Sequence, residues 1–210
     1  MGRFQKYNLL NYIAILLVLS FGLLLKGFLP SVIPTHFENG VSSKFASTLS
    51  TVLFLPIVSV LAVWLLTFLV KRNEEFWDKE DNQVSVALTN LGIILLLGFM
   101  NIGTLLNAYD NVKYGGISFF SLGFGAFFIV SAPAMKKIER NLFYGIRLPW
   151  TMSSSQNWKL THEFTGKLML PSGVLLVVIG LFTKNPALIL GLIALTLFVP
   201  MIYSFTKRNK

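Results

Sequence analysis

Between residues 141 and 166 the sequence NLFYGIRLPWTMSSSQNWKLTHEFTG gathers residue types that can do chemistry: Arg147, the serines 153–155, His162 and Glu163. A serine and a histidine could form a hydrolytic pair, but a triad also needs an acid that orients the imidazole, and no carboxylate here has a clear claim to that place. His162-Glu163 runs on into Phe-Thr-Gly and lacks the second histidine, one turn later, of a zinc-protease helix. The chain holds two histidines, His36 and His162, and no cysteine, so disulfides, thiolate metal sites and thiol nucleophiles are excluded together. His36 and Glu38 are too few ligands for a closed zinc site. The expectation is a protein without catalytic residues, metal or cofactor.

The same stretch reads better as an elbow or a surface. Ser153 and Gln156 have capping-box spacing, which predicts a helix starting near Ser154. Trp158, His162 and Thr165 then share one face, and the helix can run through Gly166 into the next apolar segment, with Pro171 kinking it. Trp150 and Trp158 suit the headgroup level, where an indole ring is buried and its N–H stays wet. Arg147 could stack on an indole, pair with Glu163, or bind a lipid phosphate.

The elements that must position these residues are membrane helices. Hydrophobic residues make up 54% of the 210 residues and charged ones 13%, with mean hydropathy +0.66, a balance that leaves too little polar surface for a soluble domain. Six apolar runs at about 8–26, 49–70, 86–107, 115–133, 168–183 and 186–206 are each long enough, or nearly so, to cross a bilayer core of roughly 30 Å. They are continuous, without the alternation of a barrel strand. The first lacks a cleavage site and reads as a retained helix. This predicts an all-α protein with six transmembrane helices. If the N-terminus is cytoplasmic, fourteen of the 18 Lys and Arg residues fall on the inside and four, Lys26, Lys44, Lys113 and Lys184, outside. That bias places both termini in the cytoplasm and the protein in the cytoplasmic membrane. The basic balance thus reads as topology and contact with anionic lipid, with no module for direct nucleic-acid binding. Two parts are expected: a two-span module, 1–85, with an outer Pro/His loop, and a four-span module, 86–210, with an inner loop at 134–167.

Within the spans, Asn90, Asn101 and Thr104 make a polar strip on the third, suited to interhelical hydrogen bonds or to a binding cavity. No Asp, Glu, His, Arg or Lys sits at mid-span, which argues against an ion-coupled pump. Pro56 interrupts the second span and predicts a kink, with neighbours satisfying the carbonyl it frees. Ser121 and Gly125 form a small-x-x-x-small pair that permits close helix contact. The outer loop 29–44 carries two prolines and should be irregular or strand-like. The inner loop 71–83 holds five of the nine acids and could face the basic loop before the fifth span.

GIRLPWTMSSSQNWKLTHEFTGKL, 145–168, resembles the signature of the SdpI family of bacterial immunity proteins. Gly145, Arg147, Pro149, Trp150, Thr151, Trp158, Thr161 and His162 stand at its matching positions, and Leu148 replaces the usual threonine. The outer loop is similar to the family's N-terminal Leu-Pro-x-x-Ile-Pro-x-His-Phe module at Leu29, Pro30, Ile33, Pro34, His36 and Phe37, followed by a shorter loop than the family's Gly-rich form. The resemblance implies a membrane protein that protects against a secreted peptide toxin and that signals by holding a transcriptional repressor at the membrane. It implies a toxin-facing outer surface at Pro30, Pro34, His36 and Phe37, with the strip of span three, and a partner-binding inner surface at the signature residues. The competing readings are a small-solute or lipid transporter using the Asn90/Asn101 strip, and a membrane enzyme acting on lipid headgroups through His162 and Arg147.

Overall fold

The structure, a computed structural model, describes residues 2–38, 41–109 and 116–208, and only the backbone of 36–38 and 41–43. In chain order it has α1 (Arg3–Leu25), the strands β1 (Val32–Glu38) and β2 (Val41–Ser47), α2 (Thr48–Lys71), the one-turn α3 (Glu74–Trp77), α4 (Glu80–Tyr109), α5 (Gly116–Lys137), the short α6 (Pro149–Ser153), α7 (Ser155–Phe182) and α8 (Pro186–Thr206). Among the described residues six helices, α1, α2, α4, α5, α7 and α8, are long and apolar enough to cross a membrane. The expected all-α, six-span architecture is therefore observed.

α4, α5 and α7 form the centre, with α1 and α2 against α4 and α8 against α7. Half of the most apolar window of α4 is buried, against 17% in α1 and in α2, whose leucines and phenylalanines point outward to where lipid would be. Between α5 and α7 the backbones themselves touch. A Cβ added at Gly125 would stand 2.8 Å from the Gly173 carbonyl oxygen, one at Gly173 2.8 Å from that of Gly125, and one at Gly166 2.5 Å from that of Ala132. Ser121 adds a hydrogen bond from its hydroxyl to the Leu176 carbonyl at 2.8 Å. The small pair Ser121/Gly125 is thus one wall of a close helix contact, as such spacing allows.

The outer loop folds into an antiparallel hairpin, β1 with β2, whose register pairs Ile33 with Ala46 and Pro34 with Phe45 and shifts between Pro34 and Phe37. Ile33 is fully buried in a cluster with Val52, Leu105 and Ala108, which pins the hairpin onto α2 and α4. Thr48, at the start of α2, closes the base: its hydroxyl hydrogen-bonds the Pro30 carbonyl, and its amide donates to Ser31 O at 3.1 Å.

Polar contacts gather the other ends of the helices on the opposite face. Arg3 pairs with Glu80 and Asp81, each at 3.0 Å. Lys79 pairs with Glu139 at 2.7 Å, and that hydrogen bond raises the Lys79 ammonium above its ordinary pKa. The acid-rich and basic inner loops do meet, but through a lysine of the first and a glutamate of the second, while Glu80 and Asp81 are taken by the chain's start. Both ends of the described chain lie on this face, as an even number of crossings requires.

Candidate functional site

The signature residues assemble at that face, between the end of α5 and the start of α7. The segment after α5 is shaped by Asn141. Its Oδ1 accepts from the Phe143 and Tyr144 amides at 2.9 and 2.7 Å, and its Nδ2 donates to the Glu139 and Tyr144 carbonyls at 3.0 and 3.1 Å. Such a side chain replaces a backbone turn with its own amide. Tyr144 is buried and its hydroxyl hydrogen-bonds Thr89 of α4; burial pushes the phenol well above its usual range, so it stays protonated. Gly145 follows at φ +105°, a left-handed conformation that disfavours any side chain.

That turn delivers the Ile146 amide to His162. The N–H donates to Nε2 at 2.8 Å, and Nδ1 lies 2.8 Å from the Trp158 carbonyl. A ring nitrogen that accepts from an amide carries no proton, so the imidazole is neutral with its hydrogen on Nδ1, donated to Trp158. Trp158 stacks on this ring with centroids 4.0 Å apart and donates its indole N–H to the Ile138 carbonyl at 2.9 Å. A Cβ at Gly145 would stand 2.5 Å from His162 Nε2 and 3.1 Å from the Trp158 ring. Glycine is required here by both conformation and contact.

Thr151 completes the turn into α6. Its hydroxyl accepts from the Leu148 amide at 2.8 Å and lies 2.8 Å from Ile146 O and 3.0 Å from Leu148 O. Pro149 occupies the first turn of α6, where a missing N–H costs nothing. Trp150 donates its indole N–H to the Ser204 hydroxyl at 2.9 Å and meets Phe205 edge-on at 5.3 Å, docking α6 on α8. Thr161 donates to Asn157 Oδ1 at 2.9 Å, and Asn157 Nδ2 donates to Ser204 O at 3.1 Å. Arg147 is exposed; one of its guanidinium nitrogens donates to the Leu142 carbonyl.

Several expectations change here. Trp150 and Trp158 do not hold their N–H groups in water: both donate inside the protein, because the loop carbonyl and α8 lie within reach. The cap of α7 is Ser154, which accepts from the Asn157 amide at 3.1 Å, one residue later than the Ser153–Gln156 box; Ser153 closes α6 instead, donating to Trp150 O at 3.2 Å. Glu163 pairs with Lys159, at 3.9 Å on its own helix, and not with Arg147. Trp158, His162 and Thr165 do share a buried face, on a helix unbroken through Gly166 and Pro171. Asn141, Tyr144, Thr89, Asn157 and Ser204 were not foreseen. Asn141, four residues after the Lys136-Lys137 pair at a span's end and four before Gly145, is the readable signal among them.

The polar strip on α4 serves α2. Asn90 donates to Thr67 Oγ1 at 3.0 Å, and Asn101 to the Thr51 and Val52 carbonyls at 3.2 and 3.4 Å. Thr104 bonds the Met100 carbonyl of its own helix at 3.0 Å. Asn101 and Thr104 also line a notch of about 380 Å³ under the hairpin, with Thr35, Ala46, Phe54 and Leu55. Asn101 Oδ1 is buried and has no partner among the described residues. Pro30 is exposed and Pro34 half-buried; the side chains of His36 and Phe37 lie outside the described residues. No group of three or more His, Cys, Asp or Glu that could hold a metal occurs among the described residues.

Residues 137–204 match the SdpI/YfhL protein family, a range that opens at the last residue of α5 and takes in the whole Gly145–His162 cluster. The chain is also 26% identical over 209 residues to the immunity protein SdpI of Bacillus subtilis (strain 168), covering 97% of this chain and 98% of that protein. No solved structure matches. In a chain with six helices long and apolar enough to cross a membrane, the segment that interlocks the signature glycine, tryptophans and histidine in one cluster is thus the part similar to the SdpI/YfhL family.

Proposed function

We propose that this protein is an integral-membrane immunity protein that protects its cell against a secreted peptide toxin. The observation that carries the reading is the likeness, over nearly the full length of both chains, to a protein named for immunity. The charge asymmetry supports an orientation with the Gly145–His162 face in the cytoplasm and the hairpin outside.

In this reading the hairpin, with Pro30, Pro34, His36 and Phe37, and the notch beneath it are the toxin-facing surface. The notch walls are largely apolar, which suits an apolar stretch of peptide. The inner face does a different task. Its turn is held by hydrogen bonds to α4, α7 and α8, so a displacement of any of these helices moves Arg147, whose side chain is exposed. Repressor recruitment, the signalling half of the proposal, is assigned to this face and rests on the family resemblance. The division into a two-span module, 1–85, and a four-span module, 86–210, follows the same split between outer recognition and inner response. No enzymatic step is assigned.

The test is expression in a toxin-sensitive bacterial strain, with membrane abundance measured beside survival. Protection at normal abundance is expected. Unchanged killing with the protein present in the membrane would overturn the proposal, and solute flux in proteoliposomes without protection would move the reading to a transporter.

A further inference from the structure

On the same face as the signature turn, a cleft of about 460 Å³ opens between the end of α5, the start of α7 and the α2–α4 link. Its walls hold Lys136, Lys137, Arg140 and Lys159 against two carboxylates, Glu75 and Glu139. Glu139 is already engaged by Lys79 at 2.7 Å. The side chains of Lys136 and Lys137 make no hydrogen bond or ion pair among the described residues, whereas those of Arg3 and Lys79 on the same face are each matched to carboxylates. The floor is uncharged, made of Phe76, Ile138, Trp158 and the neutral His162. Charges on the rim of a concave, uncharged floor act through less water than charges on an open surface, so the excess of cations is strongest inside the cleft.

We propose that this cleft is a binding site for a phosphate group, either the phosphodiester of a membrane lipid headgroup or a free phosphate compound. Lys136 and Lys137 end the membrane-spanning helix α5, which puts their ammonium groups at headgroup level. Arg140 spends one nitrogen on the Met152 carbonyl at 3.0 Å and keeps others for an anion. Ser155, the first residue of the 28-residue α7, brings a hydroxyl and the positive end of a helix to the wall. The site differs from the diffuse attraction of a basic face because cations elsewhere on that face, such as Lys6 and Lys167, do not line it.

The experiment uses the full-length protein in neutral detergent, with thermal stability and retained lipid read by native mass spectrometry. Phosphatidylglycerol is compared with phosphatidylcholine, and glycerol 3-phosphate without lipid is the soluble arm. Each juxtaposed lysine near a lipid phosphate adds enough attraction that the double variant Lys136→Gln/Lys137→Gln should lose roughly tenfold or more in phosphatidylglycerol retention. Lys6→Gln/Lys167→Gln should keep it. Should the first variant fail to fold, Arg140→Gln/Lys159→Gln reads the opposite rim, and Lys136→Arg/Lys137→Arg should restore retention. Loss confined to the cleft variants with phosphatidylglycerol supports a lipid phosphate. Saturable stabilisation by glycerol 3-phosphate, lost in the same variants, supports a soluble one. Equal loss in cleft and control variants, or retention kept by every cleft variant, would overturn the site in favour of diffuse surface charge.

Discussion

The side-chain amide of Asn101 in α4 stands 3.4 Å from the carbonyl of Val52 in α2, the carbonyl four residues before Pro56. Proline has no amide hydrogen, so inside α2 this carbonyl has lost its helical donor. In lipid no water can replace it, and a neighbouring helix supplies the bond. The polar residue on α4 and the proline on α2 are two halves of one arrangement.

That pairing makes a double-mutant prediction. Asn101→Ala should lower stability in detergent by about 1 kcal/mol, the usual scale for such interhelical bonds. In a Pro56→Ala background, where the substituted alanine restores the helical donor, the same change should cost much less. Equal losses in both backgrounds would show that Asn101 does not serve the freed carbonyl.

Gly145→Ala should be destabilising by about 1–3 kcal/mol, because it forces a side chain to positive φ. The added methyl also drives into His162 Nε2 and breaks the Ile146 hydrogen bond. Thermal unfolding in detergent reads the loss. A neutral result would mean that the turn adopts another conformation in the membrane.

Arg147 and Trp150 should separate. Trp150→Phe removes the donor to Ser204 and should cost about 1 kcal/mol of stability, loosening α6 from α8. Arg147→Lys sits on an exposed residue and should leave membrane abundance unchanged, yet lysine lacks the planar two-pronged contact that arginine offers a partner. We expect poor protection or failed signalling at normal abundance. Normal survival and reporter output would make the stretch an elbow, and lost abundance would make Arg147 a folding determinant.

Sidedness is testable because the chain has no cysteine. A single cysteine replacing exposed Lys44 on β2 should react with a membrane-impermeant maleimide in intact cells. One replacing Glu75 should react only after permeabilisation. The reverse pattern would invert the orientation, and with it the assignment of toxin-facing and inner surfaces.

His162 should bind no zinc. Nε2 accepts from Ile146 and Nδ1 donates to Trp158, so neither nitrogen offers a lone pair. One tightly held zinc per purified chain, lost on His162→Ala, would mean that this turn opens and would revive an enzymatic reading.

The six spans were legible because a bilayer acts on each segment separately: length and hydropathy decide whether a helix crosses. The need at Pro56 was legible too, since a missing donor is a local fact. So was the single face of Trp158, His162 and Thr165, which follows from helical period alone. What each side chain bonds was settled between elements distant in the chain. Trp158 and Trp150 looked like interfacial anchors until the fold brought Ile138 O and Ser204 within 2.9 Å. Asn101 suits an interhelical bond or a cavity by sequence, and the crossing of α2 and α4 beside Val52 gives it the bond. Once helices are buried in lipid, every polar group must find its partner within the protein, and only packing in three dimensions decides which partner is near.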